Sequence, residues 1–283
     1  MRVLVTGATS DTGRRLCGRL LEAGHQVVCF TRGRRPIPEG TEAVRGVLPE
    51  PGQPWGESGE AMARALEGCA LVHCCTHIRF APAVVERALE AGVVRTVCVS
   101  SARRFTRWPS ENERRVIAAE EELLRRPEGW VALRSTMIYG GGSDKNIARL
   151  VRSVRRWPLV ALPGGGRARI QPLFVEDLVE ALLAADHAPG AHGRIINVAG
   201  PEPLTLREVV KTIARVLGRR RLIVPVPLAL ARIAASLGGS RSRDRIRRMG
   251  EDRVLDIAEA RELLGFAPRS FEEGLRSMLE TAH

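Results

Sequence analysis

The chain predicts an α/β fold, a doubly wound parallel sheet with helices on both faces and a small mixed carboxyl-terminal lobe. Three observations predict it. Short apolar runs alternate with segments of helical period through roughly the first half of the chain. A strand at residues 2–5 (RVLV) runs into a glycine turn that opens an amphipathic helix at 14–21, and a second strand follows at 25–31. From Tyr139 onward the rhythm breaks at Pro158, Pro163 and Gly164-Gly165-Gly166, as expected where a different lobe begins.

The remaining elements follow in order. Residues 34–59 are rich in Pro and Gly and read as surface loop, interrupted by a short third strand at 43–47. A helix is expected at 61–66, a buried strand at 70–75, a helix at 81–90, a strand at 95–100, a charged helix at 112–125 and a strand at 130–134. Such alternation builds a parallel sheet through right-handed crossovers. Later, Thr205 and Glu208 form a capping-box signature before a helix at 206–217. An apolar helix at 227–237, an exposed basic segment at 244–253 and helices at 259–264 and 271–279 complete the chain.

A strand that ends in a tight turn at Gly7, with Gly13 allowing close backbone approach where a helix starts, is suited to cradle a pyrophosphate. Helix N–H groups and the positive end of the helix dipole both face the anion. Thr9, Ser10, Asp11, Thr12 and Arg14 lie in or beside this turn, and the ends of later strands bring Cys74, Cys75, Thr76 and Ser100 to the same groove. The end of the second strand decides the dinucleotide, because an acid there marks NAD. Thr31, Arg32, Gly33, Arg34 and Arg35 include no acid. Arg14 and Arg32 are therefore expected to grip the extra phosphate, favouring NADP(H) over NAD(H). The division that follows is a dinucleotide-binding core, residues 1–160, and a mixed segment, 161–283, that adds a last core strand and the smaller substrate lobe.

The net charge of +12 raises the question of a nucleic-acid partner. Lys145 and Lys211 are the only lysines, which leaves 42 of the 44 basic residues as arginine. They are spread along the chain with few aromatics between them, with denser runs at 219–221 and 241–248. That distribution argues against nucleic acid and for a field that favours an anionic cofactor. Cys17, Cys29, Cys69, Cys74, Cys75 and Cys98 lack metal-type spacing and read as small buried hydrophobes in a reducing compartment. The chain opens directly on a strand and has no apolar run of bilayer length, so a cytoplasmic protein with a small-molecule substrate and no membrane partner is expected. A homo-oligomer or a protein partner stays open.

The motifs 6–9 (TGAT) with Gly13, 98–102 (CVSSA), Leu133-Arg134, Ile138-Tyr139-Gly140, 174–178 (FVEDL), 197–200 (NVAG) and 263–266 (LLGF) occur in a distinctive order and spacing. On these the chain resembles an extended-type short-chain dehydrogenase/reductase of the NAD-dependent epimerase/dehydratase superfamily. It is similar to the branch that holds the accessory NADPH-binding subunit of respiratory complex I. The resemblance implies a Rossmann-type sheet of about seven strands. The family's turn reads T-G-x-x-G-x-x-G, and Ser10 replaces the middle glycine here, which needs a turn without positive φ at that point.

The resemblance also implies a proton relay of a serine, a tyrosine and a lysine four residues after the tyrosine, the lysine lowering the tyrosine's pKa. Ser101 matches the serine. Aligning Ala119-Glu120 with the family's A-E puts Asn112 and Val116 in the other two places, and a shift of one gives Glu113 and Ile117. Tyr139 is the only tyrosine, and both lysines lie beyond it, so the usual pair is missing. Three readings follow: an atypical oxidoreductase with Ser101 and Tyr139 as candidate catalytic residues, a non-catalytic NADP(H)-binding structural or redox-sensing protein, and, weakest, a basic RNA-binding relative. His77 and Lys145 are further candidates, with packing for Tyr139 and helix capping for His77 as the plainer alternatives. Asp177 is expected to cap a helix at 178–185, and Glu120-Glu121-Glu122 to form a solvated face. Sugar-nucleotide members place an arginine where Ile170 stands here, beside Arg169 and Gln171, which argues against a nucleotide-sugar epimerase.

Overall fold

A computed structural model describes residues 1–126, 129–142, 144, 146–230 and 250–280. The first half alternates as β1 (Arg2–Thr6), α1 (Asp11–Glu22), β2 (Gln26–Thr31), β3 (Glu42–Arg45), α2 (Ser58–Leu66), β4 (Cys69–Cys74), α3 (Ala81–Glu90), β5 (Arg95–Ser101), α4 (Glu111–Leu123) and β6 (Trp130–Ser135). The second half holds β7 (Ile138–Tyr139), α5 (Ile147–Arg156), β8 (Leu159–Pro163), β9 (Arg169–Ile170), β10 (Leu173–Phe174), α6 (Val175–Ala185), β11 (Arg194–Val198), β12 (Leu204–Thr205), α7 (Leu206–Val216) and β13 (Leu222–Val226), followed by helices Ala258–Leu264 and Phe271–Glu280.

The central sheet has seven parallel strands in the order β11-β6-β5-β4-β1-β2-β3. Its direction of winding reverses between β1 and β4, so the crevice beyond the carboxyl ends of these strands is where a doubly wound sheet binds its ligand. Covered on both faces, the strands read as continuous apolar runs. Val3 and Val5 face one core with α1 and α6, while Leu4, Val28 and Phe30 face the other with α2, α3 and α4. A third core belongs to the carboxyl-terminal lobe, where Tyr139, Ile147, Val160, Leu162, Phe174 and Val209 pack together. Three two-stranded sheets, β10-β7, β12-β9 and β13-β8, frame that lobe.

Several expectations change here. The helix expected from residue 178 starts at Val175, with Phe174 at its N-cap. Asp177 lies inside its first turn and caps nothing: its carboxylate accepts the Arg269 backbone N–H at 2.9 Å and its guanidinium at 2.7 Å, anchoring the last segment of the chain. Glu120 is not part of a solvated face but fully buried. Gly164–Gly166 forms a turn with positive φ at all three glycines, and Arg169 beyond it pairs with Asp252 at 3.1 Å. The expected helix at 227–237 lies outside the described residues beyond Leu230, as do the basic run 241–248, most of the basic segment 244–253 and Lys145.

Candidate cofactor and substrate site

The glycine turn is held by contacts that leave no room for side chains. Gly7 has φ +75, and a Cβ there would sit 2.7 Å from the Cys75 carbonyl carbon and oxygen. A Cβ on Gly13 would strike the Gly7 carbonyl oxygen and lie 2.8 Å from Ala8 Cα. The turn is thus pressed against the carboxyl end of β4 on one side and the start of α1 on the other. Cys75 N–H donates to the Thr6 carbonyl at 2.9 Å, which continues the pairing of these strands past their ends.

Ser10 meets the condition set by the missing glycine, with φ −77, and its Oγ caps α1 by accepting the Gly13 N–H at 3.0 Å. Its hydroxyl hydrogen is still available to donate to an anion at the helix start. Thr9, Ser10 and Thr12 are all part-exposed at this point, and the Asp11 carboxylate packs on Gly141, where a Cβ would come 2.5 Å from its carbon. Arg15 fastens the same corner, donating from Nε to Glu176 at 2.5 Å and from its terminal nitrogen to the Gly140 carbonyl at 3.1 Å. These features fit a dinucleotide pyrophosphate: an open helix N-terminus, a turn of enforced shape and a hydroxyl beside it.

At the end of β2 the geometry differs from the sequence expectation. A shallow cleft of about 390 Å³ is lined by Thr31, Arg34, Arg35, Ile37 and Arg45, while Arg32 is exposed outside that lining. Arg14 reaches the rim, where its guanidinium donates to the Pro36 carbonyl at 2.6 Å. Arg45, from β3, was not legible as a candidate because only strand pairing brings it beside Thr31.

The other predicted residues separate into two groups. Thr76 and Cys75 stand part-exposed at the end of β4, whereas the Cys74 side chain is fully buried beneath. Ser101, at the end of β5, is part-exposed, and its Oγ accepts the Arg103 N–H at 3.3 Å. His77 caps the short turn Ile78–Phe80 by accepting the Arg79 N–H on Nδ1 at 3.2 Å, and burial with Arg79 nearby pushes its imidazole down. Ser100 and Tyr139 face away. Ser100 donates to Glu120 at 2.5 Å inside the α4 core. Tyr139 is 1% exposed, packed between the tilted rings of Phe174 and Phe271 with centroids 5.5 and 5.3 Å away, and its hydroxyl donates to the Phe271 carbonyl at 3.3 Å. Burial, then the nearby Asp177, push this phenol up, opposite to the shift a proton relay needs.

On α4, Asn112 is exposed and Val116 is in the core, so the helix carries no phenol–ammonium pair. One turn later stands the residue that sequence reasoning missed. Glu120 accepts two bonds from Arg134 at 3.0 and 2.8 Å, one from Ser100 and one from Arg104. Burial pushes this carboxyl up, and the bonds from Arg134, Ser100 and Arg104 together outweigh it and hold it below the usual range. Arg134 also donates to Asn197 at 3.0 Å, so the cluster ties α4 to the ends of β5, β6 and β11. Among the described residues no group of His, Cys, Asp and Glu is placed to hold a metal.

A family model described as NAD(P)H-binding matches residues 7–147. A reductase of Streptomyces griseus, named for a (4-alkanoyl-5-oxo-2,5-dihydrofuran-3-yl)methyl phosphate, is 31% identical over 231 residues, covering 77% of this chain and 74% of that protein. The chain belongs to the NAD(P)-dependent epimerase/reductase family. Within it, a complex I subunit of Arabidopsis thaliana, NADH dehydrogenase [ubiquinone] 1 alpha subcomplex subunit 9, is 27% identical over 251 residues, covering 82% of this chain and 62% of that protein. The fold is shared more widely: the solved structure of MoeE5 with UDP-glucose and NAD superposes with a TM-score of 0.74 at 24% identity, covering 100% of this chain and 98% of that one. The chain spans only 28% of the length of uncharacterized mycobacterial proteins that it matches at 27% identity. Among the described residues no helix is long and apolar enough to cross a membrane.

Proposed function

We propose that the protein is an NADP(H)-dependent reductase of a small carbonyl compound that works without the tyrosine–lysine pair. The observation that carries this reading is the pairing of a sterically enforced pyrophosphate turn with a part-exposed Ser101 at the end of β5. The backbone from Gly7 to Gly13, with Ser10 and Thr12, holds the pyrophosphate, and Cys75 and Thr76 line the groove. Arg14, Arg34, Arg35 and Arg45 surround the extra phosphate, with Arg32 at its exposed edge. Bound there, the cofactor supplies a hydride. Ser101 orients the substrate: the Arg103 N–H takes one of its two lone pairs, its O–H donates to the substrate oxygen, and the second lone pair accepts from water. The proton that completes reduction arrives from water through that hydroxyl, in place of a phenol. The name of the Streptomyces relative supports a reductase.

A second reading, a cofactor-holding protein, is favoured by the buried Tyr139 and by the absence of the pair from α4, and the complex I relative is consistent with it. One experiment separates them. NADPH and NADH are titrated by calorimetry, and NADPH oxidation is then followed with a panel of ketones, imines and enones. Turnover that falls about tenfold or more in Ser101→Ala supports the reductase. Tight NADPH binding without turnover on the whole panel establishes the holding role, and no binding of either nucleotide below millimolar ends both.

A further inference from the structure

The outer face of the β8–β13 ribbon breaks the rule that a half-buried strand turns polar residues to water. Leu159 pairs in register with Leu222, and Ala161 with Val224. All four are exposed, Leu159 at 53% and Leu222 at 64%, while Val160 and Leu162 alternate into the third core. Trp157, just before β8, adds its ring at 55% exposure. The result is an apolar strip with no polar residue among its outward positions.

The same end of the ribbon is ringed by cations. Helix α5 buries Ile147, Val151 and Val154 and exposes Arg149, Arg152, Arg155 and Arg156, so its outer face is a stripe of guanidinium groups running to Trp157. The strand partner brings Arg219 and Arg220, and Arg221 binds the two segments together by donating to the Val154 carbonyl at 2.6 Å. Some surface arginines elsewhere are matched, as in Arg2 with Glu42 and Arg194 with Glu259, and others, such as Arg64 and Arg207, are exposed singly; what sets this face apart is the number of arginines gathered beside an apolar strip. Among the described residues no carboxylate pairs with Arg149, Arg152, Arg155, Arg156, Arg219 or Arg220.

We propose that this face docks on an anionic lipid surface, with the arginines among the headgroups and Trp157, Leu159, Leu222 and Val224 at the acyl boundary. Charge complementarity selects the occupant. A second copy would set one cationic collar against another, and residues 231–249 carry six arginines against one Asp, so neither complements it. An anionic bilayer supplies negative charge and an apolar layer at adjacent depths, and tryptophan favours that boundary. The proposal departs from the expectation of no membrane partner in surface contact alone, and among the described residues no helix is long and apolar enough to cross a bilayer.

The test is sedimentation of the full chain with phosphatidylcholine vesicles, with and without phosphatidylserine. Binding is expected only with the anionic lipid and should weaken with salt. Arg155→Glu with Arg219→Glu should lower vesicle affinity by about tenfold or more, Leu222→Gln should lower it without changing the salt slope, and Arg64→Glu on α2 should leave it unchanged. Circular dichroism of each variant establishes that it folds. The proposal is overturned if vesicles are ignored at low salt, if the Arg64 variant loses as much as the double variant, if a single-stranded RNA occupies the same arginines and vesicles do not, or if Leu222→Gln abolishes self-association instead of lipid binding.

Discussion

The glycine turn with α1 and helix α4 pack on opposite faces of the central sheet and have been treated differently. At the turn every element of the family pattern but one survives, and the exception, Ser10, occupies an ordinary φ and caps the helix. On α4 both registers read for the proton relay, Asn112 with Val116 and Glu113 with Ile117, lack a tyrosine and a lysine, while Glu120 is gripped by two arginines. The difference teaches that cofactor binding and proton transfer are separable. Binding depends on backbone shape, which a replacement spares only where the new side chain has room and an ordinary φ, as Ser10 does. Proton transfer depends on two side chains, and their loss leaves the fold intact provided that the Glu120 cluster holds α4 to the strands.

Breaking α4 at Glu120 should have the largest effect. Glu120→Gln leaves the Arg134 and Arg104 guanidinium groups facing a neutral amide in a buried site, and a loss of about 3 kcal/mol in unfolding free energy is expected by denaturant titration. The pH dependence has a definite sign. Because the folded carboxyl is held below its unfolded value of about 4.3, its contribution is complete above that pH and fades as pH falls through the folded value. The wild-type protein should therefore lose stability below about pH 4.3 along a limb that the Gln variant lacks in part. A Gln variant as stable as wild type would make the cluster incidental.

Breaking the turn comes next. Gly13→Ala places a methyl group against the Gly7 carbonyl oxygen, and since both atoms belong to packed backbone the turn must move. A loss of about 1–3 kcal/mol is expected, accompanied by loss of NADPH binding in calorimetry. An Ala variant that binds NADPH normally would show that the pyrophosphate does not use this turn. Arg45→Ala should act more narrowly, weakening NADPH by about tenfold, or about 1.4 kcal/mol, with NADH little changed. Equal losses for the two nucleotides would remove the phosphate role of the β2–β3 cleft.

Both regions were only partly legible in the sequence, for different physical reasons. The turn is a local pattern: strand, Gly7, Gly13 and helix fall within one short window, and the strand–helix alternation through β6 is equally local. Glu120 was hidden because three consecutive glutamates on a helix point in three directions, and only partners on β5 and β6 decide which is drawn inward. Asp177 was misassigned for a similar reason, since its partner Arg269 is 92 residues away. Arg45 needed the β2–β3 register, and the apolar face of the β8–β13 ribbon needed a pairing between strands about sixty residues apart.

The smallest expected effect sharpens the comparison at its edge. Tyr139 stands in a motif that invites a catalytic role, yet its hydroxyl is spent on the Phe271 carbonyl, and Gly274 lies so close that a Cβ there would strike the phenol oxygen. Tyr139→Phe keeps the ring between Phe174 and Phe271 and removes one hydrogen bond, which should cost about 1 kcal/mol by thermal or denaturant unfolding. Turnover, once a substrate is in hand, should be unchanged, because the phenol is sealed in the third core. If turnover instead falls by more than about tenfold while stability holds, a motion must expose Tyr139 during reaction, and the proton route assigned to Ser101 would pass to the phenol.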